Sequence, residues 1–442
     1  MSVSNQISRL PEDKLNHLQK KILFTLGFIA LYRIGVHVPI PGVNTDALGQ
    51  FFSSQGGNIL GMFNMFSGGA LERFSIFALG VMPYISASII AQLLTVIVPH
   101  LEALSKEGEA GRKKITQYTR YGTVVLALIQ GFMISSTLAS SSFAGQSLVG
   151  DAGLSWRIFT TISLTAGTAF VMWLGEQITE RGVGNGISLI IFSGIVAGLP
   201  SVISNTYTQY SSQAMDLPRI LLMIAVVIAV TAGVVFVEQS ARQVPIQYAK
   251  RQVGRRVYGG QQSHLPIKLN SAGVIPPIFA SSLLQFPVLI GQTNPTSAIG
   301  GFLSTYLGPG NWLYNTIYVV LIVFFTFFYT SITFKADDVA ENLKKHGGFI
   351  PGIRPGPRTA EFLHRLLNRL TFSGAIYLAS ICVLPTILTG RFNVQFYFGG
   401  TSLLIVVGVA LDTFRQIDAH RQSLRYDAFL KQGKGRGRGG LR

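Results

Sequence analysis

The sequence predicts an all-α membrane protein in which ten helices cross the bilayer and both termini lie in the cytoplasm. Of its 442 residues, 48% are hydrophobic and 12% are charged. That charged fraction is about half of the roughly 25% typical of soluble domains. Ten stretches are apolar over lengths near the ~20 residues that a helix needs to cross a ~30 Å hydrocarbon core. Lys and Arg cluster in alternate segments between these stretches, as the positive-inside rule requires.

The first predicted span follows a polar stretch of mixed charge. A cleavable signal peptide would place its apolar core earlier and a small-residue cleavage site after it, so we expect this span to remain in the protein. The ten spans are predicted at 22–41, 75–98, 121–139, 155–174, 184–203, 218–237, 271–290, 313–333, 370–389 and 397–413.

Basic residues decide the predicted orientation, because short loops rich in Lys and Arg stay in the cytoplasm. With the N-terminus inside, 31 of the 36 Lys and Arg fall in cytoplasmic segments. Segment 291–312, predicted on the opposite side, contains no charged residue. A span count wrong by one would destroy this alternation, so the pattern supports the count and the sidedness together. The cytoplasmic segments are 1–21, 101–120, 175–183, 238–270, 334–369 and 414–442.

Ten spans divide into two sets of five. An odd number in each half inserts the second half upside down, an arrangement that recurs in transport proteins. We therefore predict an N-terminal half over 1–210, a C-terminal half over 211–413 and a basic cytoplasmic tail over 414–442. Positive-inside retention explains the charge of the loops 238–270 and 334–369 but not their length, which favours a docking surface for a large cytoplasmic partner.

Segment 57–71 is apolar, too short to cross the bilayer and interrupted by Gly68 and Gly69. Irregular backbone at membrane depth is tolerated where it lines a cavity or is buried in protein. We interpret the segment as a short re-entrant plug, with a loosely packed extracellular cap as the alternative.

The predicted spans lack the ionisable residues of several membrane protein classes. Ion-coupled transporters place carboxylates or histidines at membrane depth, whereas here Glu238 and Asp412 lie at span ends. Arg33 lies toward the outer end of the first span, where it could snorkel or pair at the interface. No phosphate-binding glycine loop occurs, and the single cysteine, Cys382, excludes a disulfide framework. A secondary transporter and an intramembrane enzyme remain as alternatives, but no catalytic residue, metal site or cofactor is expected.

Several ordered motifs carry a family resemblance that runs from the first span to the tenth. They resemble the SecY family, the pore-forming subunits of bacterial protein-conducting channels. The motifs are GMFNMFSGGA at 61–70, MPYISASII at 82–90, WLGEQITERG at 173–182, GNGIS at 184–188, YAKR at 248–251, GRRV at 254–257, GIRPG at 352–356 and FYFGGTSLL at 396–404.

The resemblance implies an hourglass channel for unfolded polypeptide, with an aliphatic waist, a plug and a lateral gate between spans two and seven. The ring at the waist would be formed by Val81, Ile85, Ile187, Ile191, Ile278 and Ile405. The plug would contain Phe63, Asn64, Met65, Phe66, Ser67, Gly68 and Gly69. The polar residues of the lateral gate would be Gln92, Asn185 and Ser282. The contacts for cytoplasmic partners would be Arg255, Arg256 and Arg354.

Spacing supports part of this assignment, because residues four apart share one face of a helix, as Val81 and Ile85 do. An aliphatic constriction can close by dewetting. Without the resemblance, such residues would be read as facing the core or lipid. The resemblance also implies the partners SecE and SecG, the SecA ATPase, the ribosome, signal peptides with unfolded preproteins, and membrane lipids. It places the protein in the bacterial cytoplasmic (inner) membrane.

Overall fold

Helices dominate a computed structural model that describes residues 12–54, 64, 67–140, 142–143, 146–150, 153–212, 216–248, 251–253, 256–258, 262–293, 297–307, 311–392 and 400–436. The helices are α1 (Glu12–Gly35), α2 (Thr45–Ser54), α3 (Met82–Ile97), α4 (Pro99–Lys106), α5 (Glu109–Ser140), α6 (Leu154–Arg181), α7 (Gly186–Ala197), α8 (Leu199–Ser211), α9 (Leu217–Gln239), α10 (Ile275–Thr293), α11 (Ala298–Tyr306), α12 (Trp312–Thr333), α13 (Ala336–Lys345), α14 (Pro357–Phe392) and α15 (Gly400–Arg436). The strands are β1 (Ser142–Phe143), β2 (Gln146–Ser147), β3 (Ala241–Tyr248), β4 (Arg251–Val253), β5 (Arg256–Tyr258), β6 (Gln262–Lys268) and β7 (Gly348–Phe349).

Each of the ten predicted spans falls on one or two of these helices. Seven helical stretches in the described part are long and apolar enough to cross a membrane. An eighth is added if α3 and α4, which are bent by 99° at Val98, count as one span. The other two predicted spans lie on α1, whose first turns are polar, and on α10, which includes the shorter apolar stretch Ile275–Leu284.

The first span ends earlier than its hydropathy predicts. The helix stops at Gly35, and the apolar residues that follow form a short bridge. The amide of Ile40 donates to the carbonyl of Phe74 at 3.0 Å, and the amide of Ile76 donates to that of Val38 at 3.1 Å. Hydropathy reports the free energy of transfer and not the backbone conformation, so the apolar run continues past the end of the helix.

The second span begins later than predicted, at Met82 instead of residue 75. Pro83 occupies the first turn of α3, where an amide would have no intrahelical acceptor and the proline ring costs little. Residues 67–81 are turns with a single bridge at Ser75. Proline therefore sets the start of this helix.

The described chain separates into two compact units. The first comprises Met1–Ser204, Gln292–Asn294 and Val409–Arg442, and the second comprises Asn205–Gly291 and Pro295–Gly408. In the first unit, α6 packs against α1, α5 and α7, and α3 packs against α5. Gly131 permits the close approach of α5 to Thr161 on α6.

The second unit contains a small folded body built from both long loops that the sequence predicts on the cytoplasmic side. Strand β3 pairs antiparallel with β6, and its end also pairs with β7, which gives a three-stranded sheet in the order β6-β3-β7. Helix α14 packs against α12 and α13. The body has its own buried apolar cluster, formed by Val244, Ile267, Ala336, Ile350, Leu363 and Leu367.

Candidate channel residues

Asn64 closes the backbone before the second span into a compact turn. Its side-chain oxygen accepts from the amide of Glu72 at 2.9 Å, and its side-chain amide donates to the Glu72 carboxylate at 2.9 Å. Its backbone carbonyl accepts from the amide of Gly69 at 2.8 Å and from Oγ of Ser67 at 3.1 Å. One predicted plug residue thus holds two others in place.

Two neighbouring side chains of α1 reach this turn. The hydroxyl of Tyr32 donates to the carbonyl of Ser67 at 3.0 Å, and Nη1 of Arg33 donates to the carbonyl of Gly68 at 3.0 Å. Tyr32 is only 1% exposed. The structure therefore pairs Arg33 with backbone. The role of Tyr32 was not predicted, because a tyrosine in an apolar span has no distinguishing sequence pattern.

Gly68 lies where only glycine fits. Its φ of +67° is in the left-handed region, and an added Cβ would lie 2.7 Å from Cα of Gly194 on α7. The turn is therefore packed closely between α1 and α7. The other predicted plug residues, Phe63, Met65 and Phe66, lie outside the described residues, and the plug itself stays a prediction.

Four of the six predicted ring residues belong to the first unit. The carbonyl of Val81 accepts from the amide of Ile85 at 3.0 Å, so these two residues share one face at the start of α3. Val81, Ile85 and Ile191 are buried, with 3%, 6% and 3% exposure. Ile187 is half-buried, and its Cδ1 lies against Gly175 of α6, which has no side chain in the way.

The remaining two ring residues belong to the second unit. Ile278 is half-buried on α10, and Ile405 is buried on α15. Glycine also shapes this pair of helices, since Gly408 on α15 leaves room for the side chain of Val274 just before α10. The convergence of all six residues on one ring stays a prediction.

The three predicted gate residues have different surroundings. Asn185 caps α7, because its side-chain oxygen accepts from the amide of Ser188 at 3.3 Å. Ser282 on α10 is fully buried, and its hydroxyl has no hydrogen-bond partner among the described groups. Gln92 is half-buried on α3. Asn185 therefore has a structural function whether or not it also lines a gate.

Arg354 occupies an exposed turn of the small folded body. The turn is fixed by Gly352 and Gly356, whose φ angles are +82° and +108°, and by Thr359, whose hydroxyl donates to the Arg354 carbonyl at 2.9 Å. Ile350, which is 4% exposed, anchors the turn in the apolar cluster. The guanidinium is thus presented to solvent on a well-defined support.

The other two docking arginines lie on the hairpin β4–β5. The two strands pair antiparallel, with Val253 opposite Arg256. Arg255 lies outside the described residues, and of Arg256 only the strand position is described. On helix α13, which packs against α14, Lys345 donates to Glu341 at 2.9 Å, and this hydrogen bond holds the pKa of that carboxyl below its usual value.

The described residues contain no group of three or more His, Cys, Asp and Glu that could hold a metal ion. Cys382 is a buried free thiol on α14. These two observations concern only the described part of the chain.

Comparison with known sequences decides the family. The SecY profile matches residues 75–414. The chain belongs to the SecY family. It is 50% identical over 428 residues to the protein translocase subunit SecY of Escherichia coli K12, covering 96% of each chain. It is 49% identical to the SecY of Pseudomonas aeruginosa over the whole of both chains. Membership of this family, together with the apolar helices, makes the chain a multi-pass protein of the bacterial inner membrane.

Solved structures confirm the fold of the SecY family for this chain. One is described as a protein-conducting channel, and it matches with a TM-score of 0.63 at 16% identity, covering 92% of this chain and 93% of the other. A second, a SecY protein whose plug domain stabilises the closed channel, matches with a TM-score of 0.65 at 19% identity, with 92% and 93% coverage. A third, Sec61 in the canine ribosome-channel complex, matches with a TM-score of 0.62 at 16% identity over the same shares.

Proposed function

We propose that this chain is the central pore-forming subunit of the Sec translocon, a gated passive channel for unfolded polypeptide. The observation that carries the proposal is the full-length identity of about half to bacterial protein translocase subunits. The channel moves secretory proteins across the inner membrane and releases the helices of membrane proteins sideways into the lipid. It is not an enzyme, because the driving force comes from its partners.

The seal of the resting channel is aliphatic. Val81, Ile85, Ile187, Ile191, Ile278 and Ile405 form a ring at the waist. Water leaves a narrow aliphatic constriction readily, so ions cannot follow, while the side chains can fit around varied sequences without binding any of them tightly. The burial of Val81, Ile85, Ile191 and Ile405 supports a closed resting state.

The plug, 60–70, closes the outer side of the ring. Its described end, Ser67–Gly69, is hydrogen-bonded to Asn64 and to the first span. These hydrogen bonds define one closed position to which the plug can return. Gln92, Asn185 and Ser282 form the polar cluster of the lateral gate between spans two and seven. The orphaned hydroxyl of Ser282 supports this role, because a buried polar group without a partner weakens the closed packing there.

Docking takes place on the folded body made from 241–268 and 336–367. Arg255, Arg256 and Arg354 contact the SecA ATPase and the ribosome, because Arg pairs well both with protein carboxylates and with the phosphates of RNA. Two of the similar folds are ribosome-bound channels, from dog and from yeast, and this supports ribosome binding here. SecE and SecG complete the complex in the membrane.

The topology has both termini in the cytoplasm and two inverted halves, 1–210 and 211–413, followed by the tail 414–442. The charge alternation supports this sidedness, and the separation into two units near residue 204 supports the division. Signal peptides and preproteins enter from the cytoplasmic side, and lipid borders the open gate.

Reconstitution tests the proposal. The protein is placed in vesicles with SecE, and SecA, ATP and a signal-bearing preprotein are added outside. The preprotein is expected to become protected from added protease in an ATP-dependent manner. Vesicles without this chain and a preprotein without its signal serve as controls. A secondary transporter of small solutes would give no protection in any of these samples, and that result would reject the channel.

A further inference from the structure

We propose that Tyr32 and Arg33 of the first span are positioning residues that latch the end of the plug segment in its closed place. The proposal rests on the proposed function, since it assigns a task to these residues within the same channel. The latch consists of the two hydrogen bonds from these side chains to consecutive carbonyls, those of Ser67 and Gly68.

The location of Tyr32 is the first argument. Its ring is buried and stacks on Phe77 at a centroid distance of 5.9 Å, so packing alone would be satisfied by phenylalanine. The hydroxyl adds one hydrogen bond, to the carbonyl of Ser67, a residue that is only 4% exposed. A buried carbonyl that loses its donor leaves an unsatisfied acceptor, so the closed position is specifically favoured.

The charge of Arg33 is the second argument. A guanidinium inside a span is costly, and such residues face the protein interior or a wet cavity and are paired there. Here the charge is half-buried, and its hydrogen bond among the described residues goes to backbone, which can move. When the segment moves away, the guanidinium can be hydrated at the outer end of the span. The contact is therefore reversible, as a latch requires.

The shape of the contact is the third argument. A Cβ on Gly68 would lie 2.5 Å from Nη1 of Arg33 and 2.7 Å from Cα of Gly194. The backbone thus fits a narrow slot between the first span and α7. Further along, the amides of Ile40 and Ile76 donate to the carbonyls of Phe74 and Val38, so residues 74–76 are also tied to the segment that follows the first helix. The hydrogen bonds of Ile40 and Ile76 involve backbone alone. The side-chain hydrogen bonds of Tyr32 and Arg33 are therefore the contacts that can be released.

Ion leak from vesicles containing the full chain with SecE and SecG tests the latch. Tyr32→Phe keeps the ring and its stacking and should raise the leak roughly fivefold. Arg33→Met keeps the aliphatic stem and should raise it roughly tenfold, with Arg33→Lys restoring part of the seal. Arg219→Met, at an exposed arginine near the start of α9, and Tyr314→Phe, at a buried tyrosine, both of the other unit, should leak like the parent.

Deletion of 60–70, which removes both carbonyl acceptors, separates a latch from a general packing role. In that background Tyr32→Phe should add nothing to the leak. If Tyr32→Phe adds the same leak with and without residues 60–70, the latch is wrong. The latch is also wrong if the deletion leaks but Tyr32→Phe and Arg33→Met each leak only as much as the parent. A deletion that leaks no more than the parent would instead reject the plug assignment, and the latch with it.

Discussion

Asn270 donates a hydrogen bond of 2.6 Å to the carboxylate of Glu238, which is 8% exposed at the end of α9. The same amide nitrogen is 3.0 Å from the carbonyl of Gly273, just before α10. One side chain therefore fastens the end of the sixth span, the exit of the strand β6 and the start of the seventh span. Through it, the small folded body is joined to the helix that carries Ile278.

Asn270→Ala should destabilise the second unit by about 1–3 kcal/mol, because a buried carboxylate loses a donor that the alanine cannot replace. The apparent Tm of the purified protein in detergent measures this. Ser271→Ala is the matched control, since it removes only an exposed hydrogen bond to the carbonyl of Lys268. Equal melting of the two variants would show that the Asn270 contact contributes no stability.

Ile278→Asn and Ile405→Asn should each wet the waist of the channel. Replacing isoleucine with asparagine removes ~2 kcal/mol of favourable aliphatic transfer free energy and adds a side chain that hydrogen-bonds water. The ion leak should therefore rise at least roughly tenfold. Leu283→Asn on the same helix is the control, because Leu283 is 45% exposed. Leak is measured as ion efflux from vesicles, and parental efflux from both variants would remove these residues from the ring.

Arg354→Glu should abolish SecA-driven translocation. The exposed guanidinium on its fixed turn would be replaced by a carboxylate that repels an acidic partner, and the fold of the turn would not change. Lys344→Glu, a charge reversal at an exposed position of α13, is the control. Normal export from the Arg354→Glu variant would contradict the docking role.

Gly68→Ala should destabilise the protein more than Gly69→Ala does. Both positions have positive φ, +67° and +85°, so alanine costs roughly 1–2 kcal/mol at either. Only at Gly68 would the new Cβ also collide with the backbone of Gly194, whereas the space at Gly69 is open. Thermal unfolding measures the stability of the two variants. An equal loss of stability at both would mean that the space between Gly68 and Gly194 can widen freely.

Much of the membrane fold could be predicted from the sequence, because hydropathy and the positive-inside rule act on each span separately. The helix bounds could not. Residues 75–81 are apolar enough to extend the second span, yet they form turns, and the helix begins only at Met82. The apolar stretch after Gly35 likewise leaves the helix and pairs with the segment around Phe74.

The three-stranded sheet escaped prediction for a different reason. Pro245 and Pro266 stand inside β3 and β6, and proline argues against a strand in any local reading of the sequence. The spacing of Val244 and Ile246 by two residues was the one local indication of a strand. The strand is stabilised by pairing with the distant β6, which the local sequence does not reveal. The docking arginines were predicted as separate loop residues, and the fold places Arg354 and Arg256 on one structured unit.

The site residues depended on the resemblance far more than on physical pattern. An Ile in a span faces lipid or core in most cases, and nothing local distinguishes Ile278 from its neighbours. The polar contacts of Tyr32 and Asn64 could not be predicted for a similar reason, since their hydrogen-bond partners lie 35 and eight residues away. Tertiary hydrogen bonds of this kind have no sequence period.

Photocrosslinking of a stalled preprotein tests the central claim most directly. A photoactivatable amino acid is placed at Ile278 or Ile85 in the proposed ring, or at Phe236, which is 75% exposed on α9. With SecA and ATP driving a chain that is arrested partway, the ring positions should crosslink to the preprotein and Phe236 should not. Crosslinks from Phe236 with none from either ring position would contradict passage of the polypeptide through the aliphatic waist.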